Sequence, residues 1–174
     1  AIGGTIFTFL YFGVNFLRMG TTGISAQSYG AEDWDGLRES LGQALIVSFA
    51  IALAILLLQV PIGTVAIALL GGDPETQQHA ATYFFVRVWS APGTLANFAL
   101  IGWFLGTQNA RIPLLIFLTI NITNIVLDLL FVVGLGMKVE GVALASVIAE
   151  YSGLAVGVAF AVVSLRKHSG HWSL

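Results

Sequence analysis

The chain has 174 residues, 57% of them hydrophobic and 9% charged, with seven basic and nine acidic side chains and a formal net charge of −2. A mean hydropathy of +0.90, set against about 25% charged residues in soluble domains, excludes a water-soluble globular protein. The small net charge argues against a nucleic-acid partner, and the absence of cysteine excludes disulfides and thiolate metal sites.

The first partner implied is therefore the lipid bilayer. A hydrocarbon core about 30 Å thick takes about 20 helical residues per crossing, so this length accommodates five or six crossings with short loops. Long apolar runs predict five transmembrane helices, about 2–27, 41–70, 80–106, 113–133 and 141–165. None of the runs alternates polar and apolar residues as barrel strands do. The fold class is all-α, a polytopic membrane helix bundle.

The first predicted helix carries Arg18 and ends in Ser28-Tyr29-Gly30, followed by the acidic Glu32 and Asp33. Arg18 is within partial reach of the interface by snorkelling, which fits a structural role. The second helix contains Pro61 and closes on Gly71-Gly72, with Asp73 before Pro74 placed to cap whatever follows. The third carries Arg87, Pro92-Gly93, Asn97, and a small-xxx-small pair, Gly102 and Gly106. In a membrane such residues permit kinks and close helix contact. The fourth and fifth helices are joined by only Gly134-Leu135-Gly136-Met137-Lys138, which predicts an antiparallel pair. Gly153 and Gly157 repeat the small-residue spacing on the fifth. Trp34, Trp89, Trp103 and Trp172 lie near helix ends or in loops, as interfacial anchors do, with Trp89 and Trp103 somewhat deeper than the other two.

Basic residues are retained on the cytoplasmic side of short loops. Arg38, Arg111, Arg166 and Lys167 fall on one side and Lys138 on the other, which predicts a cytoplasmic carboxyl end in the inner (plasma) membrane. Ala1 then lies outside, and at least one further helix is expected before it.

Asp128 is the most informative residue, because it interrupts a run from Leu114 to Val133 that has no other ionisable side chain. A carboxyl group there costs at least about 2.5–3.5 kcal/mol on insertion scales and usually marks an ion pathway or a bound partner. Asn121, Asn124 and Asp128 are spaced i, i+3, i+7, along one helical stripe. Ser146 and Glu150 begin a comparable stripe on the fifth helix. At about 1.5 Å per residue from their shared loop, Asp128 and Ser146 lie at matching depths of about 9 Å. Arg87 is expected at a similar level and Asn97 nearer the midplane. A carboxylate with amide and hydroxyl oxygens around it suits a cation or proton site.

Other readings stay open. Arg18, Arg87, Asp128 and Glu150 are two of each sign and could simply neutralise one another as buried pairs. Arg87 either pairs with Asp128 or shapes the field of a substrate path; Glu150 either pairs with Arg18 or lines a cavity. His168 and His171 have metal-compatible spacing, but no carboxylate stands near them in the tail, so no metal site is assigned. No catalytic base pair shows recognisable spacing at matching depth, which argues against an enzyme.

The run Met19-Gly20-Thr21-Thr22-Gly23-Ile24-Ser25-Ala26-Gln27-Ser28-Tyr29-Gly30-Ala31-Glu32-Asp33 resembles the junction after the second helix of the multidrug and toxic compound extrusion (MATE) family, and most of all its DNA-damage-inducible F branch (DinF). Gly106-Thr107-Gln108-Asn109-Ala110-Arg111-Ile112-Pro113 and Val139-Glu140-Gly141-Val142-Ala143-Leu144-Ala145 are similar to its later junctions. The resemblance implies that residues 1–174 are part of an amino-terminal six-helix lobe, from its second to its sixth helix. The lobe's first helix and a second six-helix lobe of the same transporter would lie outside this chain. It further implies a secondary antiporter that exports small organic, mostly cationic, compounds by alternating access, driven by H+ or Na+ and without a cofactor. Its coupling-ion site would map to Asp128, Asn124 and Ser146, with Asn97 as a less direct match. A flippase for a lipid or lipid-linked sugar, and a structural membrane subunit, are the alternatives.

Overall fold

A computed structural model describes residues 2–167; the tail residues His168, His171 and Trp172 lie outside the described residues. Each of the five predicted helices corresponds to one rod, but three of the rods are broken internally. The first consists of α1 (Ile2–Val14) and α2 (Phe16–Gly30), interrupted at Asn15. The second consists of α3 (Trp34–Leu57) and α4 (Gln59–Leu70), interrupted at Leu58. It begins earlier than its hydropathy predicts, because the polar turn after Trp34 is already helical. The Asp33 side chain starts it by accepting the Gly36 amide at 2.9 Å, a helix cap that an apolar-run criterion does not register.

The third rod is α5 (Pro74–Arg87), a 3-10 turn over Val88–Ser90, and α6 (Ala91–Gly106). Pro92 lies in the first turn of α6, where its missing N–H costs least. The fourth is α7 (Arg111–Asp128), which continues into a π-helical turn over Leu129–Gly134, and the fifth is α8 (Val139–Lys167). Trp34–Leu57, Pro74–Gly106, Arg111–Gly134 and Val139–Lys167 are each long and apolar enough to cross a membrane. The first rod is divided into pieces of 13 and 15 residues.

α6 is the axis of the bundle and is buried on almost every side. Its contact with α2 is made through glycine: a Cβ on Gly102 would meet the Arg18 carbonyl oxygen at 2.5 Å, and one on Gly106 would meet Ser25 Cβ at 2.6 Å. The two helices run parallel in backbone contact, the packing that small residues permit in lipid. Trp103, between those glycines, is 1% exposed and donates its indole N–H to the Leu37 carbonyl at 2.9 Å. It is a core residue, deeper in the bundle than an interfacial anchor. Trp89 is exposed, and Trp34 packs edge-on against Tyr29.

α7 and α8 form the expected antiparallel pair. Thr123 lies against Ser152 at 3.3 Å, while Gly153 and Gly157 receive Ile120 and Ile116. Two apolar clusters fill the bundle, one around Phe7, Phe84, Val88 and Leu95 and another around Leu41, Leu100, Phe104 and Ile116. Asn97, on α6 between Leu95 and Leu100, is buried where the two clusters meet.

Candidate functional site

The stripe on α7 and the stripe on α8 meet as their spacing predicts. Asn124 donates through Nδ2 to Ser146 Oγ at 3.1 Å, and Ser146 in turn donates to the Val142 carbonyl at 3.1 Å. The hydroxyl is thus oriented by its own helix, with its lone pair held toward the amide. Four residues on from Asn124, Asp128 ends the α-helical part of α7. It is half-buried, and its Oδ1 is buried without a hydrogen-bond partner.

Beside this pair lies a cavity of about 230 Å³ whose polar lining is Arg87, Asn121, Asn124, Ser146 and Glu150, completed by Ile120 and Ala149. Asp128 lies one turn beyond that lining. Asn121 is exposed and spends one amide proton on the Phe117 carbonyl at 2.7 Å. Residues from α5, α7 and α8 therefore converge on one polar space between apolar clusters.

Asn97 does not join Asp128. It turns to α8 and donates through Nδ2 both to the Glu150 carbonyl, at 3.0 Å, and to Glu150 Oε2, at 3.1 Å. Arg87 approaches from α5 with its guanidinium 5.6 Å from the centre of the Phe7 ring, within cation–π range. It shares the cavity with Glu150 but closes no ion pair with either Glu150 or Asp128. Arg18 makes no ion pair with Glu150; its carbonyl accepts from Thr22 and packs on Gly102. Of the readings left open in the sequence, Glu150 lines the cavity, and its charged neighbour is Arg87.

Three further polar groups were not evident in the sequence as site residues. Ser90 and Thr94 are buried on α6 and its preceding turn, and their hydroxyl oxygens have no partner; neither does the Tyr11 hydroxyl. Ser90, Thr94 and Asn97 are spaced i, i+4, i+7, so this second stripe was legible in principle. Tyr11 had no such signal, since it reaches the stripe only because α1 packs beside it.

Comparison with known proteins places this geometry. The MatE family profile matches residues 1–130. The chain is 42% identical over 172 residues, 98% of its length, to "DNA damage-inducible protein F" of Escherichia coli (strain K12), and covers 38% of that protein. It is also 35% identical over 72 residues to "Protein DETOXIFICATION 43" of Arabidopsis thaliana, covering 41% of this chain and 14% of the relative. Among solved structures, "Lipid II flippase MurJ, inward closed conformation" shares the fold with a TM-score of 0.64 at 19% identity, over 82% of this chain and 31% of that one. The chain thus spans well under half the length of these relatives. With helices able to cross a membrane, a profile match over most of its length and a relative aligned nearly end to end, this chain is a multi-pass membrane protein of the MatE family.

Proposed function

We propose that the chain is part of the amino-terminal lobe of an efflux antiporter and that it carries the lobe's coupling-ion site. Asp128 supplies the charge, Asn124 and Ser146 supply neutral oxygens at the same depth, and H+ or Na+ is the coupling ion. The observation that carries this reading is the Asn124–Ser146 hydrogen bond, which fixes two oxygen-bearing side chains one turn from a carboxyl group with an uncommitted buried oxygen. Occupying Asp128 removes a negative charge from an apolar region and changes the preferred contact between α7 and α8. Coupled to a second lobe, that local change biases rocking between inward- and outward-open states. The exported substrate is a small organic cation, the carboxyl end of this chain faces the cytoplasm, and the setting is the inner membrane.

The test is gradient-driven efflux by the full-length protein in everted membrane vesicles. Asp128→Asn is expected to abolish the response to an imposed proton or sodium gradient. Undiminished coupling in that variant rules the assignment out.

A flippase for a lipid-linked substrate is the second reading, favoured by the shared fold with a protein named as a lipid II flippase. Arg18 and Arg87 are the only basic residues well inside the spans, which is sparse for an anionic headgroup. Movement of a fluorescent lipid-linked sugar, with no movement of cationic dyes, would establish that reading over the first.

A further inference from the structure

At the end of the bundle where α7 begins and α8 finishes, a cavity of about 340 Å³ lies between the two helices. Farther in they are in close contact, with Ile116 seated on Gly157. Arg111, in the first turn of α7, and Lys167, the last residue of α8, both line this space, and no acidic side chain does. Each is exposed, and neither side chain closes an ion pair or a hydrogen bond among the described residues. Arg38, at the same end, is by contrast committed, because its guanidinium donates to the Leu165 carbonyl.

Two cations facing one cavity repel each other, and one of them is also placed against its own helix. Arg111 occupies the amino-terminal turn of α7, the positive end of the macrodipole, with no acidic residue in that turn to offset it. An anion between Arg111 and Lys167 relieves the repulsion and meets the α7 dipole with the favoured sign. The first two backbone N–H groups of α7 are already taken, since Asn109 Oδ1 accepts from Arg111 at 3.1 Å and from Ile112 at 3.4 Å. The charge is therefore met by side chains.

The rest of the lining says which anion. One turn below Arg111 comes Leu115, and one and two turns before Lys167 come Val163 and Phe160, all three exposed and apolar. At about 1.5 Å per residue they lie about 6 to 10 Å deeper than the charges. Both helices are long and apolar enough to cross a membrane, so the charged rim stands at the level of the headgroups and the apolar walls at that of the acyl chains. A free phosphate ion makes no use of such walls, whereas a molecule with an anionic head and a hydrocarbon tail matches both parts. Basic pockets between membrane helices bind anionic headgroups in this way.

We propose that this cavity is a binding site for an anionic phospholipid, with its phosphate between Arg111 and Lys167 and the start of an acyl chain along Leu115, Val163 and Phe160. Bound there, the lipid ties the beginning of α7 to the end of α8. The proposal does not depend on the coupling reading.

The experiment is native mass spectrometry of the full-length protein in detergent, titrated with phosphatidylglycerol, phosphatidylcholine or inorganic phosphate. Phosphatidylglycerol is expected to give a retained adduct and to raise the unfolding temperature, while phosphatidylcholine and phosphate do neither. Arg111→Gln combined with Lys167→Gln should weaken that binding about tenfold or more, since each basic residue near an anionic headgroup adds several-fold in affinity. Arg166→Gln removes a charge at the same end but outside the cavity, and should leave binding unchanged. Val163→Trp keeps every charge, fills the apolar half and should displace the lipid; it decides the question if the double variant does not fold, which thermal unfolding without lipid reports. An equal loss in Arg166→Gln would mean diffuse surface charge, and full protection by phosphate would mean an ion site without a lipid. No preference for phosphatidylglycerol would mean a groove covered by another part of the polypeptide. Each of these results, or retained binding in Val163→Trp, overturns the proposal.

Discussion

Asn97 on α6 grips Glu150 on α8 twice, at the backbone carbonyl and at the carboxylate, with both bonds made by a single amide nitrogen at 3.0 and 3.1 Å. Neither residue sits in the stripe that draws attention to Asp128. Their pairing makes the α6–α8 contact a polar one at the level where the two apolar clusters meet. Asn97→Ala leaves the Glu150 carboxyl oxygen without this donor, while the Glu150 carbonyl keeps its helical one, a loss of about 1–3 kcal/mol for a buried group. Thermal unfolding of the purified full-length protein in detergent checks this, and an unchanged midpoint would show that the grip contributes nothing.

Ser146 separates the hydroxyl from its volume. Ser146→Ala is expected to lose the Asn124 bond and about 0.5–1.5 kcal/mol, near the lower end if membrane averages of about 0.6 apply. Ser146→Thr keeps the hydroxyl. If the proposed site is correct, the alanine variant loses gradient-driven efflux and the threonine variant retains it. Equal activity in both would show that this oxygen has no part in coupling.

Gly153 is a packing position, and its test is a rescue. A Cβ there would overlap the Ile120 side chain and come within 3.4 Å of Asn97 Nδ2. Gly153→Val should destabilise the α7–α8 pair by about 1–3 kcal/mol through overpacking. Adding Ile120→Ala should recover a large part of that loss, because it removes the atoms in conflict. A double variant no more stable than the single one would show that the strain lies elsewhere.

Asp73 gives a pH dependence at the start of α5. The Thr76 amide and the Thr76 hydroxyl both donate to its carboxylate at 2.8 Å, and these bonds hold its carboxyl below the usual carboxylate range. A depressed native value means that the cap stabilises the fold fully above the ordinary range and is lost as pH falls through the lower, native value. Asp73→Ala should therefore lower the melting temperature at neutral pH, and the gap to the parent should close in strong acid. A gap independent of pH would show that the carboxylate charge plays no part.

The rods and the pairing of α7 with α8 were legible because lipid allows few alternatives: long apolar runs must be helices, and a five-residue connection must fold back. The meeting of the two polar stripes was legible for the same reason, but depth sets Ser146 level with Asp128, whereas its partner is Asn124, one turn along. The break at Leu58 follows from Pro61, which can give no N–H to the Leu57 carbonyl, whereas helical periodicity passes through Asn15 with only Gly13 nearby. Asn97 is assigned to the Asp128 site only by the family resemblance, since its depth is nearer the midplane, and neither resemblance nor depth specifies azimuth. α6 presents Asn97 to α8, so its partner is Glu150. The depth of Trp103 is suggested by its position, but nothing in the sequence announces the Leu37 carbonyl that accepts its N–H.

The π-helical turn over Leu129–Gly134 begins immediately after Asp128. A π turn holds more residues than an α turn, and each residue transferred between the two windings rotates the helix by about 100°. The middle of α7 is clamped, since Ile116 and Ile120 are seated on Gly157 and Gly153. Beyond the acid the next contact of this kind is Phe131 against Gly141, and the bonds there run from Leu135 back to Leu130 and from Met137 back to Phe131. Rewinding would thereby be bracketed between the Ile120 and Phe131 contacts, a swivel near the end of an otherwise stiff rod.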